Sequence, residues 1–204
     1  MHTEKTKRDD IILLSAKKEF LTYGYADSSL RRICKQAGVT TGALYKRYSG
    51  KEELFGKLIA PTLNSLAVLV QEHVRQDYAL LEKGRPSQMW EESETYLRQM
   101  MSFIYDHEDG LRLLLFKSEG SRYANFKQAA VASVTEETYH YVKQVHERSE
   151  KKAVLISKQH LELVMRAYFT IIFEPLLYGW TKEEALLFCR TIDRLFNWSE
   201  ILGF

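Results

Sequence analysis

The sequence predicts an all-α chain of about nine helices, and three observations carry that reading. Apolar residues recur three and four apart along most of the 204 residues, the spacing of one helical face. Turn formers are scarce, with 10 Gly and 3 Pro. No Asn-Gly or Asp-Gly pair divides two alternating runs, the usual mark of a hairpin. The breaks that do occur divide the chain into a small N-terminal unit of three helices, residues 1–51, and a larger helical unit, residues 52–204.

The first helix covers Asp9 to Tyr23, where Ile12, Ala16 and Phe20 fall four apart, and Gly24 is placed to cap it. Ser28 and Ser29 then offer N-cap hydroxyls to a short helix, Leu30 to Ala37, whose Leu30, Ile33, Cys34 and Ala37 share a face. Gly38 stops it. After Val39, Thr40 caps a third helix through Gly42, Leu44, Tyr45 and Tyr48, and two short helices on a tight Gly-containing turn make a helix-turn-helix. A fourth helix opens at Lys51, with Ser49 and Glu52 at capping-box spacing or Gly50 as its cap. It runs from Glu52 toward Gln76 with a kink at Pro61, because proline lacks the amide proton and crowds the preceding turn.

Lys83 to Ser87 reads as a loop. A fifth helix follows, with Met89, Ser93, Tyr96, Met100, Phe103 and His107 at helical spacing and an end near Gly110. Leu111 to Phe116 is a short buried helix, Ser118 to Ser121 a break, Tyr123 to Glu147 a long seventh helix, and His146 to Lys152 a polar connection. From Val164 to Trp180 nearly every position is apolar, so this helix must be covered on more than one side. Thr181 and Glu184 form a capping box for the last helix, whose Ala185, Phe188, Ile192, Leu195 and Phe196 make a second stripe.

Composition excludes several classes. Hydrophobic residues make up 45% and charged residues 27%, so the chain is globular rather than disordered. The longest uncharged stretch, Leu58 to Gln71, has 14 residues and contains Pro61, short of the roughly 20 that a membrane span needs. No membrane partner is expected. Met1 to Asp10 is almost wholly polar, unlike a signal peptide, and the expected location is the cytoplasm. Cys34 and Cys189 lie far apart and read as reduced thiols. Neither a Gly-x-Ser-x-Gly elbow nor a Gly-rich phosphate loop occurs, so the chain is not read as an enzyme. Asp106 to Asp109, DHED, and His146 four before Glu150 supply no three metal ligands at recognised spacing. They read as solvated helix ends, with no metal and no cofactor.

The net charge of +2 hides an asymmetry. Residues 1–57 hold 12 Lys or Arg against 7 Asp or Glu, and the rest of the chain holds 17 against 20. A basic head on a mildly acidic body points to a polyanion partner for the head alone. The third helix offers what a nucleic-acid duplex requires. Thr40 and Thr41 present hydroxyls at a helix N-terminus, and Gly42 removes a side chain that would hold the helix away. Tyr45, Lys46, Arg47 and Tyr48 follow, with Tyr48, three residues after Tyr45, read as core before contact, and Lys51 stands where it can reach a phosphate. Ser29 and Arg31, with Arg32 and Lys35 beside them, are placed for phosphates from the second helix or for plain solvation.

The run Gly24 to Leu54, GYADSSLRRICKQAGVTTGALYKRYSGKEEL, resembles the DNA-binding domain of the TetR family of transcriptional regulators. It carries the Gly38-Val39 turn, the Gly42-x-x-Tyr45 motif and Lys51 followed by an acidic residue. It departs at Arg47-Tyr48, where the family has His-Phe, and at Ala43, where a hydroxyl residue is frequent. The resemblance implies a regulator with a DNA-binding domain at residues 1–51 and an effector-binding and dimerisation domain at 52–204. Its partners would be a palindromic double-stranded operator, a small apolar or aromatic effector that releases a repressor from DNA, and a second copy of the chain. The family binds effectors among its fifth, seventh and eighth helices, which implies walls at Tyr96, Met100, Phe103, Phe126, Met165, Tyr168 and Phe169. It dimerises through its last two helices, which implies Phe173, Leu177, Phe188, Ile192, Leu195 and Phe196 as interface. The alternative is a helical small-molecule binding protein whose basic head serves another anion.

Overall fold

The structure is a computed structural model that describes residues 2–85, 88, 93–148 and 155–202, with side chains from residue 7 onward. Among the described residues there are ten helices and no strand. They are α1 (His2–Asp27), α2 (Leu30–Ala37), α3 (Thr41–Tyr45), α4 (Lys51–Glu82), α5 (Ser93–Asp106), α6 (Glu108–Phe116), α7 (Phe126–Arg148), α8 (Lys158–Leu177), α9 (Lys182–Leu195) and α10 (Trp198–Leu202). The chain forms two compact units, one of Met1–Leu66 with His107–Lys127, the other of Ala67–Asp106 with Gln128–Phe204.

The first unit is built on the stripe that the sequence shows. Ile12, Ala16 and Phe20 of α1 are fully buried with Ile33 of α2, Leu44 of α3 and Leu54, Phe55 and Ile59 of α4. Phe20 meets Phe55 edge to face at 5.2 Å, and Tyr25 meets Phe55 in the same way at 5.3 Å. Such pairs add roughly 0.5–1.5 kcal/mol each beyond their burial. Leu113 and Leu114 of α6 close the same core. Gly110 makes that closure possible, since a Cβ built on it would lie 1.9 Å from Thr62 Oγ1 of α4.

Several boundaries differ from expectation for local reasons. Gly24 breaks α1 where the sequence places its cap, and a further turn follows. The glycine takes φ 76° and ψ 170°, a left-handed setting open to glycine, and the helix resumes through Asp27 while Tyr25 N donates to Lys117 O at 2.8 Å. Helix α3 ends at Tyr45, one turn short of Tyr48. Helix α4 continues past Pro61 and beyond Gln76 to Glu82. By length and composition it is long and apolar enough to cross a membrane, although its first half contributes to the core just described. The break after α5 falls at His107, so Gly110 lies inside α6. Pro86, Ser87, Met89 and the stretch 149–152 lie outside the described residues.

In the second unit, α5 packs along α9. Arg98 Nη1 donates to Leu186 O at 2.8 Å, and Lys182 Nζ meets Asp106 Oδ1 at 2.7 Å. The capping box at the start of α9 is present in full, with Thr181 Oγ1 accepting from Glu184 N and Glu184 Oε2 accepting from Thr181 N. A further core joins Val131 and Val142 of α7, Leu161 and Met165 of α8, and Trp198 and Leu202 of α10. That last short helix goes beyond the sequence reading. Both cysteines are buried free thiols.

Candidate nucleic-acid interface and regulatory site

The helix-turn-helix is set by local chemistry. Gly38 takes φ 64° as the left-handed C-cap of α2, and its N–H reaches Cys34 O and Lys35 O. Thr40 caps α3 by accepting from Ala43 N at 3.1 Å. The Ser29 hydroxyl makes no cap bond; the buried Glu19 carboxylate of α1 takes that role instead. Glu19 Oε1 accepts from Ser29 N at 2.8 Å and from Arg32 Nε at 2.7 Å, so one acid inside α1 both caps α2 and anchors it. The sequence reading missed this role. Its signal was an acid beside Phe20 on the apolar face, with a cation thirteen residues on.

Burial sorts the predicted contacts. Thr40, Thr41, Gly42, Tyr45 and Lys46 lie on the accessible side, with Tyr45 at 57% exposure. Leu44, between them, is fully buried, so α3 presents one face to its core and one to solvent. Arg31 is exposed as well, whereas Arg32 is occupied by Glu19, by Asp27 O at 2.7 Å and by the Tyr23 ring. Three expected contacts are placed differently. Tyr48 is only 6% exposed and packs in the core, because the chain turns after Tyr45 and carries its ring inward. Arg47 faces Asp9 Oδ1 at 3.4 Å. The Lys51 ammonium donates to Ala26 O at 3.1 Å and Ser28 O at 3.4 Å and sits 4.5 Å above the Tyr25 ring. Lys51 therefore ties the end of α1 to the start of α4.

Glu53, rather than Glu52, serves the start of α4. Its carboxylate accepts from Ser49 N at 2.7 Å and Ser49 Oγ at 3.0 Å, which holds it below the usual range. Glu52 instead accepts from Tyr25 OH at 2.6 Å and from Arg122 N at 3.3 Å. Burial and that neighbouring carboxylate push the Tyr25 phenol up to about 12.

In the second unit the candidate effector walls divide. Met165 is buried and Tyr96, Met100, Phe103, Tyr168 and Phe169 are half-buried. Tyr168 packs edge to face on Phe196 and Trp198, both at 5.0 Å. Phe126 belongs instead to the first unit and packs on its core. Beside Tyr96 stands a polar group that the sequence reading did not name. His73 and Asp77, one turn apart on α4, approach at 3.4 Å, and the His73 ring stacks on Tyr96 with centroids 3.4 Å apart. Among the candidate interface residues, Leu177 and Leu195 are exposed, and Phe173, Phe188 and Phe196 are half-buried. Ile192 is covered by its own chain and serves the internal core. Among the described residues no three His, Cys, Asp or Glu side chains gather as a metal site.

A short exposed helix, capped at Thr40 and held at a tight turn against two others, defines the helix-turn-helix class of transcriptional regulators. Residues 12–58 match the family described as "Bacterial regulatory proteins, tetR family". Over that stretch the chain is similar to the DNA-binding region of TetR-family transcriptional regulators. Two solved structures share the fold over nearly the whole length. NalD of Pseudomonas aeruginosa, described as the secondary repressor of the MexAB-OprM multidrug efflux pump, is 18% identical with a TM-score of 0.56, over 94% of this chain and 96% of its own. A TetR-like transcriptional regulator from Rhodococcus sp. RHA1 is 20% identical with a TM-score of 0.56, over 95% of each chain.

Proposed function

We propose that the protein is a cytoplasmic homodimeric repressor that reads a palindromic operator with residues 1–51 and is released by a small effector bound within 52–204. The observation that carries this reading is the outward row of Thr41, Gly42 and Tyr45 on α3 with its C-cap Lys46, opposite the buried Leu44. Thr40 and the α3 N-terminus suit a phosphate, Gly42 lets the backbone come close, and Lys46 and Tyr45 reach furthest. Ser29, with its hydroxyl uncommitted to capping, and Arg31 extend the same basic face from α2.

The dimer is supported by apolar side chains left in solvent along the last two long helices: Leu163, Leu177 and Tyr178 with Leu187 and Leu195. A second copy would cover them by twofold symmetry. The effector must bind the DNA-incompetent form more tightly, since equal affinity for both forms would shift nothing. A gel shift on the DNA flanking the chain's own coding region tests the reading. Binding that weakens steeply with salt is expected; no binding at low salt to any flanking fragment overturns it in favour of a helical binding protein whose head serves another anion.

A further inference from the structure

One cluster inside the second unit is not explained by packing. Asp77 of α4 is 8% exposed in surroundings that are largely aromatic. Tyr141 of α7 donates its hydroxyl to the Asp77 carbonyl oxygen at 3.2 Å, and Tyr78 meets Tyr141 edge to face at 5.5 Å. Among the described residues no Lys or Arg forms an ion pair with Asp77; its one such neighbour is His73. Burial pushes the Asp77 carboxyl up to about 7, with Glu137 of α7 adding to the rise, and burial pushes His73 down to about 4. At neutral pH the two side chains are therefore a carboxyl near its midpoint and a neutral imidazole, not an ion pair. An acid in that position lacks a countercharge.

The imidazole also occupies a particular place. It lies flat on Tyr96, 3.4 Å between centroids and 12° between planes, while its side chain keeps a quarter of its surface in solvent. A flat ring thus already fits between solvent and the Tyr96 face. A rotation of the His73 side chain would vacate it.

We propose that this cluster is a binding site for a flat organic cation, which replaces the His73 ring on Tyr96 and pairs its charge with the Asp77 carboxylate. The aromatic face of Tyr96 favours the same charge, and Glu137 makes the local balance more acidic. The inference rests on the effector reading above and names the chemical class of that effector. Because the ligand takes the ionised carboxyl, binding weakens as Asp77 protonates, by about tenfold between pH 8 and pH 6. The groups facing Asp77 are His73 and Tyr78 from α4, Tyr96 from α5, and Glu137 and Tyr141 from α7. Neither His73 nor the phenols, all pushed upward, change charge across that range.

The test uses two dyes of one shape, N-methylacridinium and neutral acridine, titrated by fluorescence into the full chain without DNA at pH 7.5. The cation is expected to bind at least tenfold more tightly than acridine. Asp77→Asn is expected to remove that preference, and Tyr96→Leu to weaken both dyes, with folding checked by circular dichroism. Equal binding of the two dyes, or a cation preference unchanged in Asp77→Asn, overturns the site. Release of DNA is measured separately on the operator complex. Asp77-dependent binding without release upholds the site and defeats the effector role, whereas release by neutral compounds alone upholds an effector and defeats this class of ligand.

Discussion

Gly110→Ala is the substitution whose outcome the structure constrains most tightly. The added Cβ would stand 1.9 Å from Thr62 Oγ1, 2.8 Å from Thr62 Cβ and 3.2 Å from Thr62 Cγ2. Rotating Thr62 can remove the first or third clash but not the second, since its Cβ is fixed to the α4 backbone. The two helices must part by about 0.6 Å to restore a 3.4 Å contact. Overpacking of this kind costs about 1–3 kcal/mol, here at the upper end, while replacing glycine in a helix returns about 1 kcal/mol of propensity. The net loss is about 2 kcal/mol, which for a chain of this length lowers Tm by roughly 4–8 °C. Differential scanning calorimetry gives the shift, and urea titration gives the free energy. Thr62→Gly removes all three clashing atoms, so the cost of Gly110→Ala should shrink by about 2 kcal/mol in that background. A Gly110→Ala protein as stable as the parent, or a cost unaltered by Thr62→Gly, would refute the seating of α6 against α4.

Burial and charge set three further outcomes. Lys46→Ala should weaken operator binding and reduce its salt slope by about one, as expected for one lost phosphate contact; an unchanged slope in gel shifts across a salt series removes Lys46 from the interface. Leu187, 77% exposed in the single chain, can take a charge without disturbing its own core, so Leu187→Glu should sediment as a folded monomer. A parent protein already monomeric in sedimentation would sink the dimer. The third concerns pH. Asp77 is raised from 3.8 to about 7, so between those values the folded chain keeps a proton that the unfolded chain has lost, and stability falls as pH rises. His73 is lowered from 6.5 to about 4, so over that window the unfolded chain holds the extra proton and stability rises with pH. The slopes oppose each other in the parent protein. Asp77→Asn should make stability climb more steeply between about pH 4 and 6.5, and His73→Gln should make it fall; identical profiles for all three proteins in urea titrations would contradict the assignment.

The sequence alone determined the helical class and most of the helix-turn-helix, because those features are local. The Ile12, Ala16 and Phe20 stripe, the left-handed cap at Gly38, the Thr40 cap and the Thr181–Glu184 box each depend on residues within a turn or two of each other. The place of α3 was legible for the same reason, while burial decided that Leu44 faces the core and Tyr45 faces out. What depended on contacts across distance was not legible. Lys51 looked free until Ala26 and Ser28 supplied carbonyl oxygens from 25 and 23 residues away. Tyr48, whose spacing from Tyr45 fitted a small core as well as a contact row, was decided for the core once α3 ended early and its ring turned inward. Gly110 read as a helix end and proved to be a point of close approach to a threonine 48 positions earlier. The Asp77 cluster was the least visible, since His73 and Asp77 at i and i+4 look like an ordinary solvated pair. Only tertiary packing removed their water and laid Tyr96 on the imidazole, and desolvation, which no local spacing encodes, gave both side chains their altered charge.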